Sequence, residues 1–311
     1  MVKYCFGIDV GGTAIKCGLF QTDGVLLDKW EIPTRRENHG ENILPDAAAA
    51  IQGKCAEKGI SVEEVAGVGI GVPGPVNGKG EVPCAVNLYW GYKDVAGDME
   101  KLTGMKAKAA NDANVAAFGE AWMGAAKGSL NVIMATLGTG VGGGIIVDGK
   151  IVTGAHGAGG EIGHANVDHN ETEVCNCGGQ GCLEQMASAT GLVRLAKKRL
   201  AKDDRDSVLR DGELSAKSIF DAYKAKDAVA DEVVEEFSEY LGSALSVFAS
   251  VVDPEVIVLG GGVSKAGKPL VDCVERYYKK YAFSSCKETP IVLAVLGNDA
   301  GIYGAARLVL E

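Results

Sequence analysis

Apolar positions along the chain follow two periods. Tyr4–Val10 is an apolar run ending in a Gly11-Gly12-Thr13 turn, Ala14–Phe20 is a second run, and Val25–Ile32 is a third after an Asp23-Gly24 turn. Asp-Gly between apolar runs is a strong hairpin signal, so the segment is predicted to be a three-stranded meander. The design returns at Asn131: a strand to Leu137, a Gly138-Thr139-Gly140 turn, a strand through Gly144 to Val147, an Asp148-Gly149 turn and another short strand. Two such copies suggest a duplicated, two-domain architecture.

Helical spacing appears over Asn42–Lys58, Ala113–Ala126 and Ala187–Leu200. Val229–Val252 is amphipathic at its start and then almost wholly apolar, which reads as a buried helix. Further strands are expected at Val65–Val72, Ala107–Ala110, Val256–Leu259 and Ile291–Val295. Alternation of strands and helices gives an α/β class. No low-complexity linker interrupts the pattern, so the domain boundary is placed near Ala113–Ala126. A smaller N-terminal α/β domain is then expected over residues 1–116 plus 300–311, the last helix Ala300–Leu310 crossing back. A larger C-terminal α/β domain takes residues 117–299.

Composition narrows the function. With 47% hydrophobic and 23% charged residues the chain can build a large core, which excludes wholesale disorder. A net charge of −10 and the lack of a basic stripe argue against a nucleic-acid partner. Lys197, Lys198 and Arg199 read as a solvated helix face. Ala244–Val252 is far too short for a membrane span, and Asp9 with its glycine turn arrives before a signal-peptide apolar region could form. A cytoplasmic, reducing setting is therefore expected, in which a close cluster among nine cysteines points to a metal or redox site rather than to disulfides. The 44 glycines, about twice the usual share, gather at strand ends and point to tight turns and close backbone approach to a ligand.

Three of those strand ends carry candidate chemistry. In Asp9-Val10-Gly11-Gly12-Thr13-Ala14-Ile15-Lys16 a strand delivers a carboxylate, and two glycines expose backbone N–H groups to an anion. Thr13 offers a hydroxyl and Lys16 a mobile charge, while Asp9 suits hydrated Mg²⁺. An ordinary hairpin turn would use the same residues for geometry. Gly138-Thr139-Gly140 repeats the logic, and Gly260-Gly261-Gly262 ends another strand where a purine or ribose could lie against bare backbone. No Walker-type Gly-Lys-Ser/Thr element is present in either turn.

The strongest local signal is His164 with Cys175, Cys177 and Cys182, whose Cys₃His composition matches closed structural zinc sites. The remaining cysteines, Cys5, Cys17, Cys55, Cys84, Cys273 and Cys286, read as buried small hydrophobes. Glu161 and Glu184 flank the cluster; two carboxylates and an imidazole held together suit a polyhydroxyl ligand. Asn111-Asp112 sits between a short strand and a helix. Capping explains both residues, and so does an aspartate that accepts the proton of an attacking hydroxyl.

DVGGTAIK, LGTGVGGG, GEIGH, CNCGGQGCLE and LGGGVS occur here in the order found in ROK sugar kinases. From about residue 5 onward the chain resembles that family, and more narrowly its bacterial glucokinases of the Gram-positive type. The resemblance implies an actin-like ATPase (ribonuclease H-like) fold, with two domains and an interdomain active-site cleft. It implies Asp112 as catalytic base and Asn111 as a sugar contact, with Glu161, His164 and Glu184 binding hydroxyls and His164 also ligating zinc. Asp9, Gly11, Gly12, Thr13, Lys16, Gly138, Thr139 and Gly140 would face the phosphates of ATP, and Gly260, Gly261 and Gly262 its adenosine. Gly71 and Asn87 resemble residues of loops bordering the sugar. ATP, Mg²⁺, a structural Zn²⁺ and a homodimer complete the expectation. The implied reaction phosphorylates a hexose at its 6-hydroxyl, glucose before N-acetylmannosamine or fructose. A sugar-sensing regulator of the same family would carry a DNA-binding domain ahead of the DxGGT motif, where Asp9 is only the ninth residue.

Overall fold

The computed structural model describes residues 2–311. Both meanders appear, and each supplies three strands of a five-stranded sheet. In the first, β1 (Tyr4–Val10), β2 (Ala14–Gln21) and β3 (Leu26–Pro33) run antiparallel, while β4 (Val65–Val72) lies parallel to β1. A small ribbon, β5 (Glu81–Val82) with β6 (Lys93–Asp94), precedes β7 (Ala107–Asn111), which adds parallel to β4. The sheet order is β3-β2-β1-β4-β7. The second sheet uses β8 (Val132–Leu137), β9 (Val141–Val147), β10 (Lys150–Ile151), β11 (Val256–Gly260) and β12 (Ile291–Leu293) in the order β10-β9-β8-β11-β12. Parallel neighbours require crossovers. Helices Ile43–Lys58 and Val95–Thr103 supply them in the first sheet, and Ala228–Val252 and Lys268–Tyr281 in the second.

Many glycines serve this packing rather than a ligand. A Cβ at Gly7 or Gly69 would collide with the backbone carbonyls of Ile302 and Ala305, so the helix Ala300–Leu308 lies directly on the sheet. Gly119 and Gly304 do the same where that helix meets Asp112–Met123, since methyl groups there would strike the carbonyls of Ala300 and Val115. The glycine excess thus reflects close backbone packing as well as turns.

The chain divides into two compact units. One holds the chain up to Leu130 with Gly144–Gly160 and Val295–Glu311; the other holds Asn131–Gly143 and Glu161–Ala294. Residues 117–130, 144–160 and 295–299 therefore join the first unit, not the second as the sequence pattern had placed them. The cause is the helix Asp112–Met123, which cannot be cut at residue 116: its whole length packs with Ala300–Leu308. The first unit centres on Phe6, Ile8, Ile70 and Leu44, and the second on Ile257, Leu245, Phe237 and Tyr278, all fully buried or nearly so.

Local chemistry moved several boundaries. The expected helix Ala187–Leu200 is two helices, Leu183–Ala187 and Ala189–Leu200, because the Ser188 hydroxyl accepts the Gly191 N–H at 2.9 Å and restarts the helix there. Met123 ends the preceding helix before a turn in which the buried Glu120 carboxylate takes the amides of Ala125 (2.7 Å), Leu296 (2.8 Å) and Val295 (3.0 Å). Nor is 197–199 a solvated face throughout. Arg199 is 5% exposed and pairs with Glu232 and with Asp203 at 3.2 Å. Among the described residues no helix is long and apolar enough to cross a membrane.

Candidate active site

In the first unit, Asp9 stands near the end of β1 opposite Lys16 on β2 and Gly71 on β4. Burial raises its pKa above the ordinary carboxylate value, and the Lys16 charge works in the opposite direction. The turn that follows is closed on backbone: Gly11 N–H donates to Ala14 O at 3.0 Å, Thr34 N–H to Thr13 O at 3.0 Å and the Thr34 hydroxyl to Gly11 O at 2.7 Å. Gly12 has space above it, the nearest atom to an added Cβ being Arg36 Nη1 at 4.0 Å. Thr13 is exposed. Lys16 Nζ reaches the Asn298 carbonyl at 3.2 Å.

Asn111 closes β7 and caps the next helix. Its Oδ1 accepts the N–H groups of Ala113 (2.9 Å) and Asn114 (3.1 Å), and its Nδ2 donates to Gly74 O at 3.0 Å. Capping thus falls to Asn111. Asp112 is the first helical residue, half-buried, with Oδ1 2.8 Å from the Ala113 amide. Gly71 lies beneath this helix, where a Cβ would come 2.6 Å from Val115 Cγ2. Asn87 is exposed on a short 3₁₀ turn, Val86–Leu88.

In the second unit, one ligand atom each from His164, Cys175, Cys177 and Cys182 lies within 4.8 Å of every other. Thiolates 2.3 Å from a tetrahedral zinc stand about 3.8 Å apart, and the Cys177 and Cys182 sulfurs are 3.6 Å apart. Gly178 and Gly181, both with left-handed backbones (φ 88° and 68°), fold the loop around that point. Burial raises the pKa of Cys175 and pushes Cys182 up to about 12, while the Gly179 N–H lowers that of Cys177. Neutral thiols gain little from being packed together. A divalent cation would deprotonate them and neutralise their charge, so the residues present fit zinc. Of the other cysteines, Cys84 departs from the expected burial: it is exposed, whereas Cys5, Cys17, Cys55, Cys273 and Cys286 are buried.

Both flanking carboxylates touch the cluster. Glu161 Oε2 is 3.9 Å from His164 Nε2, and Cys175 Sγ is 3.9 Å from Glu184 Oε1. The other oxygen of Glu184 accepts the Val141 amide at 3.1 Å, and a Cβ on Gly140 would collide with it. The second glycine turn is therefore tied to the cysteine loop through one side chain. It is tied to the helix Ala189–Leu200 as well, by Ala189 N–H to Gly138 O (2.8 Å) and the Thr190 hydroxyl to Thr139 O (2.7 Å).

Beside Thr139 opens a cavity of about 660 Å³ lined by Thr190, Val193, Arg194, Lys197 and Lys198. Sequence reading did not single out Arg194, although 190, 193, 194, 197 and 198 share one helical stripe. Glu171 and Glu173 pin its guanidinium, Glu173 at 2.9 Å. Burial opposes ionisation of Glu171, but hydrogen bonds from Arg194, the Glu173 amide and Lys198 bring its pKa down to about 2. Of the third glycine run, Gly260 and Gly261 are packed against Met134 and the Leu137 backbone; only at Gly262 would a Cβ meet open space.

A model of the ROK family matches residues 5–311. The chain belongs to the ROK family. It is 40% identical to the glucokinase of Halalkalibacterium halodurans, over 99% of this chain and 96% of that one. It is 34% identical to the glucokinase of Thermotoga maritima, over 98% and 96%. Among solved structures, a ROK family glucokinase from Streptomyces griseus in complex with glucose and AMPPNP superposes with a TM-score of 0.76 at 34% identity, covering 98% of both chains. The two five-stranded sheets are thus those of the actin-like, ribonuclease H-like ROK fold.

Proposed function

We propose that this ROK protein is a sugar kinase that transfers the γ-phosphoryl group of ATP to the 6-hydroxyl of a hexose, glucose first among them. The observation that carries the reading is the pair of carboxylates, Glu161 and Glu184, each in contact with a member of the Cys₃His cluster. Ionised carboxylates accept hydrogen bonds only, so a rigid pair of them with an imidazole selects a ligand rich in hydroxyl donors. Full-length likeness to glucokinases supports glucose over other hexoses.

The roles follow from chemistry at each position. Asp112 Oδ accepts the proton of the 6-hydroxyl as that oxygen bonds to the γ-phosphorus and the bond to the β-phosphate oxygen breaks, leaving ADP and a sugar phosphate. A carboxylate is a far weaker base than an alkoxide, so proton transfer comes late, after the new O–P bond has begun to form. Asn111, Glu161, His164 and Glu184 orient the sugar, with Gly71 and Asn87 at its border. Orientation and charge neutralisation then supply most of the barrier reduction. The phosphates are assigned to Gly11, Gly12, Thr13, Lys16 and Gly138–Gly140. The cavity beside Thr139 supports seating of the nucleotide near that turn, and Gly262 supports close approach of the adenosine. Mg²⁺, held through water by Asp9, would shield the phosphate charge. Zn²⁺ on His164, Cys175, Cys177 and Cys182 would hold the sugar-binding loop rigid.

A homodimer in the cytoplasm belongs to the same proposal, supported by the family resemblance; light scattering checks the assembly. The function is tested by coupled ADP release across a hexose panel. Glucose is expected to give the highest kcat/KM, and a higher value for N-acetylmannosamine or fructose would move the substrate assignment. No turnover with any hexose would leave a sugar-sensing protein.

A further inference from the structure

Two residues beyond the aspartate assigned as base lies a side chain that neither capping nor catalysis uses. Asn114 is 4% exposed. Its Nδ2 donates to the carbonyl of Gly159 at 3.3 Å, while its Oδ1 is buried without any partner. An unpaired buried acceptor is costly, and an apolar side chain would fill this place more favourably. Gly144 on β9 packs directly against the same helical turn, an added Cβ lying 3.3 Å from Asn114 Cα.

The segment it grips is otherwise weakly held. Between β10 and Glu161 the chain has no regular structure, and Gly154, Gly157 and Gly160 all adopt left-handed backbones. Gly157 rests against the backbone of Val76, and Gly159 N–H closes the loop on Thr153 O at 2.9 Å. Among the described residues, Asn114 gives this loop a side-chain bond from outside it. Two residues after Gly159 comes Glu161, and three more lead to His164.

We infer that Asn114 is a positioning residue for hexose binding: its amide N–H fixes Gly159 and thereby the start of the segment carrying Glu161 and His164, and its unpaired Oδ1 accepts a hydrogen bond from a hydroxyl when sugar is bound. The inference rests on the sugar-kinase reading above. It explains why a polar group is kept where packing favours an apolar one, and it separates Asn114 from Asn111, whose oxygen is already spent on the helix cap.

Asn114→Leu keeps the volume and removes both polar functions. Its KM for glucose should rise about tenfold or more, the scale of one lost hydrogen bond plus loosened geometry. The KM for ATP and kcat should stay within about threefold, because Asp112 and the phosphate turns are untouched. Thermal stability should hold or improve, and amide exchange at Gly159 and Gly160 should quicken. A merely structural role would instead lower stability and leave the two KM values in their original ratio. Asn114→Asp, which retains the acceptor and loses the donor, serves if the leucine variant fails to fold; it should show the faster exchange and a raised glucose KM. An unchanged glucose KM in a folded variant, with wild-type enzyme active beside it, overturns the inference alone. Wild-type protein without hexose turnover overturns the kinase reading and this inference with it.

Discussion

The two glycine turns sit at equivalent places in equivalent sheets and are held by different means. Gly11-Gly12-Thr13 is closed by its own backbone and by Thr34. Gly138-Thr139-Gly140 also closes on its own backbone, Gly138 N–H to Gly140 O at 3.0 Å, but is held in addition by side chains from elsewhere, Thr190 on one flank and Glu184 on the other, and Glu184 also meets Cys175 of the metal-type cluster. A common scaffold has thus acquired one turn held within its own meander and one whose shape depends also on more distant loops. Damage to the cysteine loop should therefore reach the second turn, and phosphate binding with it, while the first turn stays intact.

The largest effect should come from Asp112→Asn, which keeps shape and removes the proton acceptor. Turnover is expected to fall about 10³-fold with glucose affinity little changed, read by coupled assay and calorimetry; near-normal kcat would remove the base assignment. Gly140→Ala comes next. The new methyl must displace the Glu184 carboxylate, so kcat/KM should drop by up to about 100-fold, since small misplacements of substrate-positioning groups cost that much. Cys177→Ser should lose about one zinc per chain by metal analysis and weaken glucose about 10- to 100-fold. It should also raise the KM for ATP through Glu184, and a zinc-free variant with normal ATP kinetics would show that the two loops are not coupled. Gly12→Ala is the contrasting case: no protein atom opposes the methyl, so stability should hold while the KM for ATP rises roughly tenfold, the size of one charge-assisted hydrogen bond.

Smallest is Glu171→Gln, expected to lower Tm by about 2–4 °C at neutral pH. The Glu171 pKa is held at about 2, below its ordinary 4.5. Its ionised form therefore stabilises the fold above pH 4.5, and that contribution disappears as the pH falls toward 2. The gap in Tm between variant and wild type should close over that window.

Both meanders, the Cys₃His cluster and the long buried helix were legible in the sequence because each rests on a local pattern: turn chemistry, ligand spacing or apolar periodicity. What was not legible depends on partners far along the chain. Gly7 and Gly69 lie within predicted strands and Gly304 within a predicted helix, and the reason each is glycine shows only when the helix Ala300–Leu308 is seen packed on the sheet and on the helix Asp112–Met123. Arg199 reads as a surface cation until Glu232 and Asp203 meet it. The unit boundary shifted for the same reason. Helix Val95–Thr103, capped by Asp94, and Ala216–Lys224, capped by Ser215, carried local start signals that pattern reading passed over. At the site, the cluster could be read from composition, whereas Asn114 could not. Its significance lies in an oxygen left without a partner, and only coordinates show that.

The most direct measurement is phosphorus and carbon NMR of the product formed from glucose, ATP and Mg²⁺ by zinc-loaded protein. The account requires one sugar phosphate per ADP, with phosphorus on the 6-oxygen and none released as inorganic phosphate. ADP formation with free phosphate and unmodified glucose would contradict it.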